Sequence, residues 1–93
     1  MAAESKIERA DRKRHKAAGN RLLKFESPGL NGVPDDLLLK PIPTEHQELV
    51  ARYFRFVEYK KPKGPLRSSQ ERRRTELQAM GFVVDVVDQP NTF

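Results

Sequence analysis

Asp35, Glu58 and Lys60 have the side-chain types and spacing needed to assist the hydrolysis of a phosphate ester. Asp35 follows the loop Gly32-Val33-Pro34 at the start of one predicted strand. Glu58 and Lys60 lie two residues apart on the next long strand. Because side chains alternate along a strand, Glu58 and Lys60 share one face and Tyr59 points to the other. If the two strands are neighbours, the carboxylates of Asp35 and Glu58 converge on one divalent cation.

The chemistry that these groups predict is metal-assisted hydrolysis. Carboxylate oxygens suit Mg²⁺ or Mn²⁺, which prefer oxygen ligands and keep several bound waters. Such a cation lowers the pKa of a coordinated water and neutralises the charge that develops on a phosphoryl group. Lys60 would orient or activate that water, or stabilise the charged transition state. The backbone carbonyl of Tyr59 lies between the two side chains and is a candidate further metal ligand.

Each part of this motif also has an ordinary explanation. Pro34-Asp35 is a common turn dipeptide, and Glu58-Tyr59-Lys60 is expected by chance in a chain that is 33% charged. The triplet can also be a charged strand edge that prevents aggregation. Its position at the end of the aromatic and apolar segment Phe56-Val57 favours the functional interpretation, because charged residues are less expected there.

Seven elements are predicted, in the order helix, strand, strand, inserted helix, strand, helix, strand. This order suggests a mixed sheet with helices packed against it, in a single domain. Gly19 and Gly81 are predicted to end helices. The helices are expected at residues 4–18 and 45–53 and from Ser68 or Ser69 to about Met80, the strands at Leu22–Phe25, Leu37–Leu39, Phe54–Lys60 and Phe82–Val87, a turn at Ser27-Pro28-Gly29, and a loose tail at 88–93.

The first and second predicted helices carry distinct faces. In the first, an apolar stripe is opposed by a polar face for which solvent exposure is the ordinary expectation. In the second, Thr44 and Gln47 form a capping-box pattern. The stripe consists of Ile7, Ala10, Ala17 and Ala18, the polar face of Glu8, Asp11, Arg12 and His15, and the inner face of the second helix of Leu49, Val50 and Tyr53.

Composition favours a polyanion partner and excludes several other classes. The 93 residues include 18 Lys and Arg against 13 Asp and Glu, a net charge of +5. Such an excess favours nucleic acid, because each phosphate contact releases counterions. The chain has no Cys, which excludes disulfides, thiol nucleophiles and Cys-bound zinc. No apolar leader or membrane-spanning run is visible, so a cytoplasmic location and no membrane partner are expected.

An ordered set of motifs along nearly the whole chain, from about Glu4 to Val87, resembles a VRR-NUC domain. This is a branch of the PD-(D/E)XK nuclease superfamily, found in bacteriophage proteins and in larger DNA-repair nucleases. The resemblance implies one α/β domain over 1–93, with a restriction-endonuclease-like core: a central mixed β-sheet flanked by helices. The motifs are Ile7-Glu8-Arg9, Ser27-Pro28-Gly29, Gly32-Val33-Pro34-Asp35, Phe56-Val57-Glu58-Tyr59-Lys60 and Gln70.

The resemblance also implies roles for these residues. Glu8 would complete a metal site with Asp35 and Glu58, Lys60 would be catalytic, and Gln70 would give a supporting polar contact near the metal or the phosphate. The stand-alone phage members resemble Holliday-junction resolvases and are expected to be homodimers. An insertion at about 42–53 is longer than in minimal members, and it either builds the dimer interface or contacts DNA.

Basic residues near the motif are the predicted DNA contacts. Lys61 and Lys63 lie just past the predicted catalytic strand and are the best placed to touch DNA. Solvation of a helix face explains the arginines that follow Gln70 nearly as well as phosphate binding does. The predicted DNA contacts are Lys61, Lys63, Arg72, Arg73, Arg12 and Lys16.

Three functions remain open from the sequence. The favoured one is a Mg²⁺- or Mn²⁺-dependent endonuclease that cuts DNA. The resemblance further implies branched DNA such as Holliday junctions as the substrate, and products with a 5′-phosphate and a 3′-hydroxyl. The second is a non-catalytic nucleic-acid-binding module, for which metal and Asp35 are irrelevant. The third is a small interaction protein with charged strand edges, which predicts no salt-dependent affinity for DNA. Acidic residues facing phosphate weaken binding unless a cation screens them, which argues for the first.

Overall fold

The computed structural model describes residues 2–26 and 29–89. Ser27 and Pro28 of the predicted turn, and residues 90–93 of the predicted tail, lie outside the described residues. None of the described helices is both long enough and apolar enough to cross a membrane. The elements are the helices α1 (Ala2–Ala17), α2 (Thr44–Tyr53) and α3 (Ser68–Ala79) and the strands β1 (Arg21–Lys24), β2 (Asp36–Leu39), β3 (Phe56–Tyr59) and β4 (Val84–Val87).

The order of these elements is the predicted one, and the chain is a small mixed protein of helices and strands. It divides into two compact units, Met1–Pro41 and Ile42–Phe93, here called the N-terminal and C-terminal units. Instead of the predicted central mixed sheet, the described residues form two two-stranded sheets, one in each unit. β1 and β2 are antiparallel, whereas β3 and β4 are parallel. Each ladder is four residues long, so β3 and β4 are shorter than predicted, whereas β1 and β2 lie within one residue of the predicted bounds.

In the N-terminal unit, α1 ends where Gly19 takes a left-handed conformation with φ 85°. The Gly19 amide donates to the Lys16 carbonyl (3.1 Å) and the Asn20 amide to that of His15 (2.8 Å). These two bonds form a Schellman motif, the ending that a glycine at this position favours. The chain then enters β1, which pairs with β2 from Arg21 opposite Leu39 to Lys24 opposite Asp36.

The polar face of α1, not its apolar stripe, is the half-buried one. Ile7 is 66% exposed and Ala10 is exposed, whereas the four residues of the polar face are partly buried. Arg12 explains the orientation: its Nε donates to the Leu22 carbonyl (3.4 Å), and its Nη2 lies 3.5 Å from Asp36 Oδ1. The expectation that this face is merely solvated is therefore wrong, because its arginine binds the β1–β2 hairpin.

In the C-terminal unit, α3 connects the parallel strands β3 and β4 and supplies part of a small core. Leu77 and Val87 are only 4% and 5% exposed. The predicted core position of Leu77 is thus confirmed. Three rings, those of Phe54, Phe56 and Phe82, meet edge to face with centroids 5.1 to 6.1 Å apart. Such contacts between aromatic rings add to the stability that burial gives.

The inserted helix α2 is held by Gln47, and the predicted capping box does not form. Pro43 is its N-cap, without a side-chain hydrogen bond, and Gln47 Nε2 instead donates to the Ile42 carbonyl (3.0 Å). Of the predicted inner face, Val50 is partly buried, but the prediction is wrong for Leu49 and Tyr53, which are 52% and 83% exposed. The side of α2 that carries Gln47 is the partly buried one, together with Val50 and Ala51.

Gly81 is the position at which α3 and α2 meet. Its φ is 97°, and its amide donates to the Gln78 carbonyl (2.9 Å) in a second Schellman motif. The neighbouring Met80 carbonyl accepts from the Ile42 amide (2.8 Å), which fixes the start of the insertion. Gln47 covers Gly81 so closely that a Cβ there would lie 2.6 Å from Nε2. The predicted helix end at Gly81 is confirmed, with a packing role that the sequence does not reveal.

Arg55, just before β3, forms a bidentate ion pair with Asp85 of β4. Arg55 Nε donates to Oδ2 and Nη2 to Oδ1, both at 2.7 Å. This hydrogen bonding lowers the pKa of the Asp85 carboxyl and raises the pKa of the Arg55 guanidinium. The pair therefore joins the two parallel strands at the end where they begin.

Replacing Gly81 with alanine should destabilise the C-terminal unit through two effects. The left-handed backbone costs a residue with a Cβ about 1 kcal/mol or slightly more. The new Cβ also forces Gln47 to release the Ile42 carbonyl, at a further cost of about 1 kcal/mol. We expect Gly81→Ala to lower the free energy of unfolding by about 2 kcal/mol in urea denaturation followed by circular dichroism.

Gln47→Ala provides the matched background, because it removes the obstructing side chain while leaving φ at Gly81 unchanged. In that background Gly81→Ala should cost about 1 kcal/mol less, since only the backbone term remains. Equal costs in the two backgrounds would show that Gln47 does not lie against Gly81.

Asp85 should titrate below its ordinary pKa of about 3.9. Because its folded pKa is lowered, its contribution to stability is present above the unfolded pKa and is lost as pH falls through the folded pKa. In a ¹³C carboxyl titration we expect Arg55→Gln to move the Asp85 pKa up towards its ordinary value. Arg52→Gln, which breaks the exposed Arg52–Glu48 pair on α2, is the control and should leave it unchanged. The same Asp85 pKa in all three proteins would refute the bidentate pair.

Candidate functional site

A cleft in the N-terminal unit brings together Glu8 and Asp35, two of the predicted metal ligands. Its volume is about 510 Å³. Glu8 comes from the half-buried face of α1, and Asp35 from the loop before β2. Two further carboxylates line the same cleft, so its wall is strongly acidic. The lining residues are Ser5, Ile7, Glu8, Asp11, Leu22, Lys24, Asp35 and Asp36.

Backbone bonding fixes Asp35 while leaving its side chain available. The Asp35 carbonyl accepts a hydrogen bond from the Phe25 amide (2.8 Å), which extends the β1–β2 ladder by one step. Among the described residues, neither the Asp35 nor the Glu8 carboxylate forms a hydrogen bond or an ion pair. Asp35 is exposed and Glu8 partly buried. Within these residues, the carboxylate oxygens of both Asp35 and Glu8 are therefore free to bind a cation.

Asp36 differs from its neighbour Asp35. Its side chain is only 14% exposed and lies 3.5 Å from Arg12 Nη2. Oδ1 has no hydrogen-bond partner among the described residues, so this contact is an ion pair without hydrogen-bond geometry. The sequence did not single out Asp36 or Asp11 as site residues. Their spacing was a usable signal, because Asp11 lies three residues after Glu8 on one helix face and Asp36 directly follows Asp35.

In the C-terminal unit, Glu58 and Gln70 contact each other. Gln70 Nε2 donates a hydrogen bond to Glu58 Oε1. The other end of the same amide, Oε1, accepts from the Arg67 backbone amide (2.9 Å). Arginine has no side-chain acceptor, so only the Gln70 half of a capping box forms at the start of α3. Gln70 is thus held by the helix terminus and in turn orients the Glu58 carboxylate.

Alternation along β3 is as predicted. Glu58 is partly buried, whereas Val57 is 40% and Tyr59 is 71% exposed. Just past the strand, Lys60 is also partly buried, with its side chain 20% exposed. Glu58 and Lys60 therefore share the inner side of the strand, and Tyr59 points away, as the period of two requires.

Lys60 has one hydrogen-bond acceptor and one ion-pair partner. Its Nζ donates to the Gly64 carbonyl at 2.6 Å and lies 3.6 Å from Asp88 Oδ2. Gly64 belongs to a tight turn in which its amide donates to the Lys61 carbonyl (3.0 Å). An open cleft of about 510 Å³ lies beside this turn and is lined by Tyr59, Lys60, Lys61, Gly64, Pro65, Arg67 and Gln70.

Asp88 is the contact that the sequence missed. It was assigned to a loose tail, whereas the structure places its carboxylate beside Lys60. The usable signal was the pair of strands itself, because the carboxyl ends of parallel strands meet at one edge of a sheet. Asp88 directly follows the valine-rich β4, as Lys60 directly follows β3.

The predicted DNA contacts fall into two groups. Lys16, Lys61, Lys63 and Arg72 are exposed, and Lys61 and Lys63 belong to the turn beside Lys60. Arg73 is exposed but lies 3.9 Å from Glu76, and Arg12 is engaged with the hairpin. The first group is therefore better suited to phosphate contacts than Arg12.

The carboxylate oxygens suit a hard divalent cation, but they are divided between the two units. Glu8 and Asp35 lie in the N-terminal unit, and Glu58 in the C-terminal unit. Among the described residues, no group of three His, Asp or Glu side chains is placed to hold a metal ion. The convergence of Asp35 and Glu58 on one cation, and a role for the Tyr59 carbonyl, stay predictions.

No protein-family model, no curated protein and no solved structure matches the chain. The resemblance to VRR-NUC domains rests on the motifs quoted above.

Gln70→Ala should cost about 1 kcal/mol of stability, because it leaves the Arg67 amide and the Glu58 carboxylate without their partner. Urea denaturation measures this loss, and faster hydrogen exchange of the Arg67 amide should accompany it. Gln78→Ala is the matched control on an exposed position of the same helix and should change stability by less than about 0.5 kcal/mol. Equal losses for the two variants would contradict the bridging role of Gln70.

Proposed function

We propose that this chain is a metal-dependent endonuclease of the VRR-NUC type that hydrolyses phosphodiester bonds in DNA. The observation that carries the proposal is the Gln70–Glu58 hydrogen bond beside Lys60 at the end of β3. The family resemblance implies catalytic roles for Glu58 and Lys60 and a supporting polar contact from Gln70, and the Gln70–Glu58 hydrogen bond supports that assignment. Chance occurrence of a Glu-x-Lys triplet does not require a partly buried amide from the following helix to bind its glutamate.

Glu8, Asp35 and Glu58 would hold Mg²⁺ or Mn²⁺, which when bound supplies an activated water and neutralises phosphate charge. Gln70 keeps the Glu58 carboxylate in one orientation, and Lys60 stabilises the negative charge of the transition state. Water adds to phosphorus while the bond to the 3′ oxygen breaks. The leaving oxygen takes up a proton, which gives a 3′-hydroxyl and a 5′-phosphate.

The substrate we propose is DNA, in particular branched DNA such as a four-way junction. The net charge of +5 and the exposed cations Lys61, Lys63 and Arg72 support a phosphate-binding surface. A homodimer would present two sites related by a two-fold axis to a substrate of similar symmetry. Together with this function, we propose a restriction-endonuclease-like core as the fold.

A non-catalytic nucleic-acid-binding module is the second candidate. The observation that favours it is the basic surface, which alone is enough to bind DNA. It gives no role to the Gln70–Glu58 contact or to the carboxylates of Glu8 and Asp35, which have no partner in the described part of the chain, and it therefore ranks second.

Cleavage of a labelled four-way DNA junction, with a linear duplex of the same sequence, tests the proposal. We expect wild type to cut the junction with Mn²⁺ or Mg²⁺ and not with chelator. Asp35→Asn, Glu58→Gln and Lys60→Met should each slow cleavage roughly 100-fold, because each removes a group needed in the transition state.

Asp85→Asn and Glu48→Gln are the matched controls, since both remove a carboxylate that is paired with an arginine away from the candidate site. Both should cut at the wild-type rate. Equal cutting of duplex and junction would retain the nuclease and remove the structural preference. Salt-sensitive binding without cutting under any metal would make the binding module the better account, and absence of both would favour an interaction protein.

A further inference from the structure

The parallel ladder of β3 and β4 continues beyond both strands and sets Lys60 beside Asp88. The Lys60 amide donates to the Val87 carbonyl (3.0 Å), one step past the last paired residues, Tyr59 and Val87. Since both strands run in the same direction, the residue that follows each one emerges at the same edge of the sheet. The neighbouring positions of Lys60 and Asp88 thus follow from the backbone register and do not depend on a chance side-chain contact.

A hydrogen-bond acceptor and an ion-pair partner hold the Lys60 amine, and they belong to different segments of the chain. Gly64 contributes a backbone oxygen from the turn after β3, and Asp88 contributes a carboxylate from the end of β4. A lysine side chain is a flexible stem that ends in three rotatable donors, so one acceptor leaves it much freedom. A hydrogen bond to Gly64 and an ion pair with Asp88, in different segments, restrict it further.

The surroundings distinguish this pair from the surface ion pairs of the same unit. Arg52 and Glu48, on α2, are 65% and 86% exposed and lie 3.5 Å apart. Lys60 is only 20% exposed, and Asp88 is 38% exposed. Exposed pairs contribute little because water and salt screen them, whereas screening weakens as burial increases. Asp88 therefore acts on a lysine whose position is already restricted by packing.

We propose that Asp88 is a positioning residue, which together with the Gly64 carbonyl fixes the Lys60 amine for its part in phosphodiester hydrolysis. This inference rests on the proposed function. It gives each charged member of the Glu58–Lys60 pair its own partner from another element. Gln70 of α3 orients the carboxylate, and Asp88 after β4 orients the amine.

The first arm of the test is a comparison of single-turnover cleavage of the four-way junction by wild type, Asp88→Asn and Asp85→Asn with Mn²⁺. We expect Asp88→Asn to cut about 10-fold more slowly, the size of effect typical for residues that orient a catalytic group. Its Kd for the junction, measured in Ca²⁺, should stay within about twofold of wild type or tighten, because a negative charge is removed. Asp85→Asn, three residues earlier and within β4, should match wild type in both rate and Kd. Asp88→Glu should recover part of the rate.

The second arm needs no activity. In protein labelled with ¹⁵N-lysine, the Lys60 side-chain resonance is assigned by its loss in Lys60→Arg. Asp88→Asn should shift or broaden this resonance, because the amine loses its charged ion-pair partner, whereas Asp85→Asn should leave it in place. Circular dichroism of each variant establishes that it is folded, and Asp88→Glu replaces Asp88→Asn if the latter is not.

The outcomes separate the two proposals. A slower Asp88→Asn with an altered Lys60 resonance supports the positioning role. A wild-type rate in Asp88→Asn, or an unchanged Lys60 resonance, overturns the role of Asp88 and leaves the nuclease standing. A loss of rate explained by weaker DNA binding also overturns it. If wild type itself cuts nothing with any metal, the proposed function fails, and a positioning role in hydrolysis fails with it.

Discussion

Parallel pairing of β3 with β4 is the constraint on which the C-terminal unit depends. Two parallel strands cannot be joined by a tight turn, so the chain must cross back through a helix, here α3. The crossover begins at the same edge of the sheet at which β3 ends. The first turn of α3, which carries Gln70, is therefore brought back to Glu58, and the end of β4 is brought to Lys60. The parallel pairing thus brings Gln70 to Glu58 and Asp88 to Lys60.

In the N-terminal unit, the helix α1 turns a polar face towards the β1–β2 hairpin. Partly buried polar groups are costly unless they are paired. Arg12 meets this requirement through the Leu22 carbonyl and Asp36, while Glu8 on the same face has no partner among the described residues. Local rules are broken most often at functional sites. The unpaired glutamate is therefore more informative than the exposed Ile7, which is an ordinary surface residue.

Features governed by backbone geometry could be predicted from the sequence, and those governed by long-range contacts could not. Gly19 and Gly81 end their helices because only glycine adopts the left-handed conformation cheaply, and that preference is local. The alternation of Glu58 and Tyr59 is equally local. The orientation of α2 is not, because Gln47 lies against Gly81 after α3, and this long-range contact opposes the burial of the more apolar face that carries Leu49. Asp88 was missed for the same reason, since its partner lies on another strand.

The acidic residues divide by the kind of partner they have, and this division bears on function. Asp85 is bound by the guanidinium of Arg55, which neutralises its charge and lowers its pKa. Glu58 is bound by the amide of Gln70, which fixes its orientation and adds no positive charge. A carboxylate meant only to hold the fold together gains most from a cation of the protein. A carboxylate that is oriented but keeps its charge remains able to bind an external cation. The chain has a net charge of +5, so a shortage of arginine or lysine does not explain why Glu58 is paired with an amide.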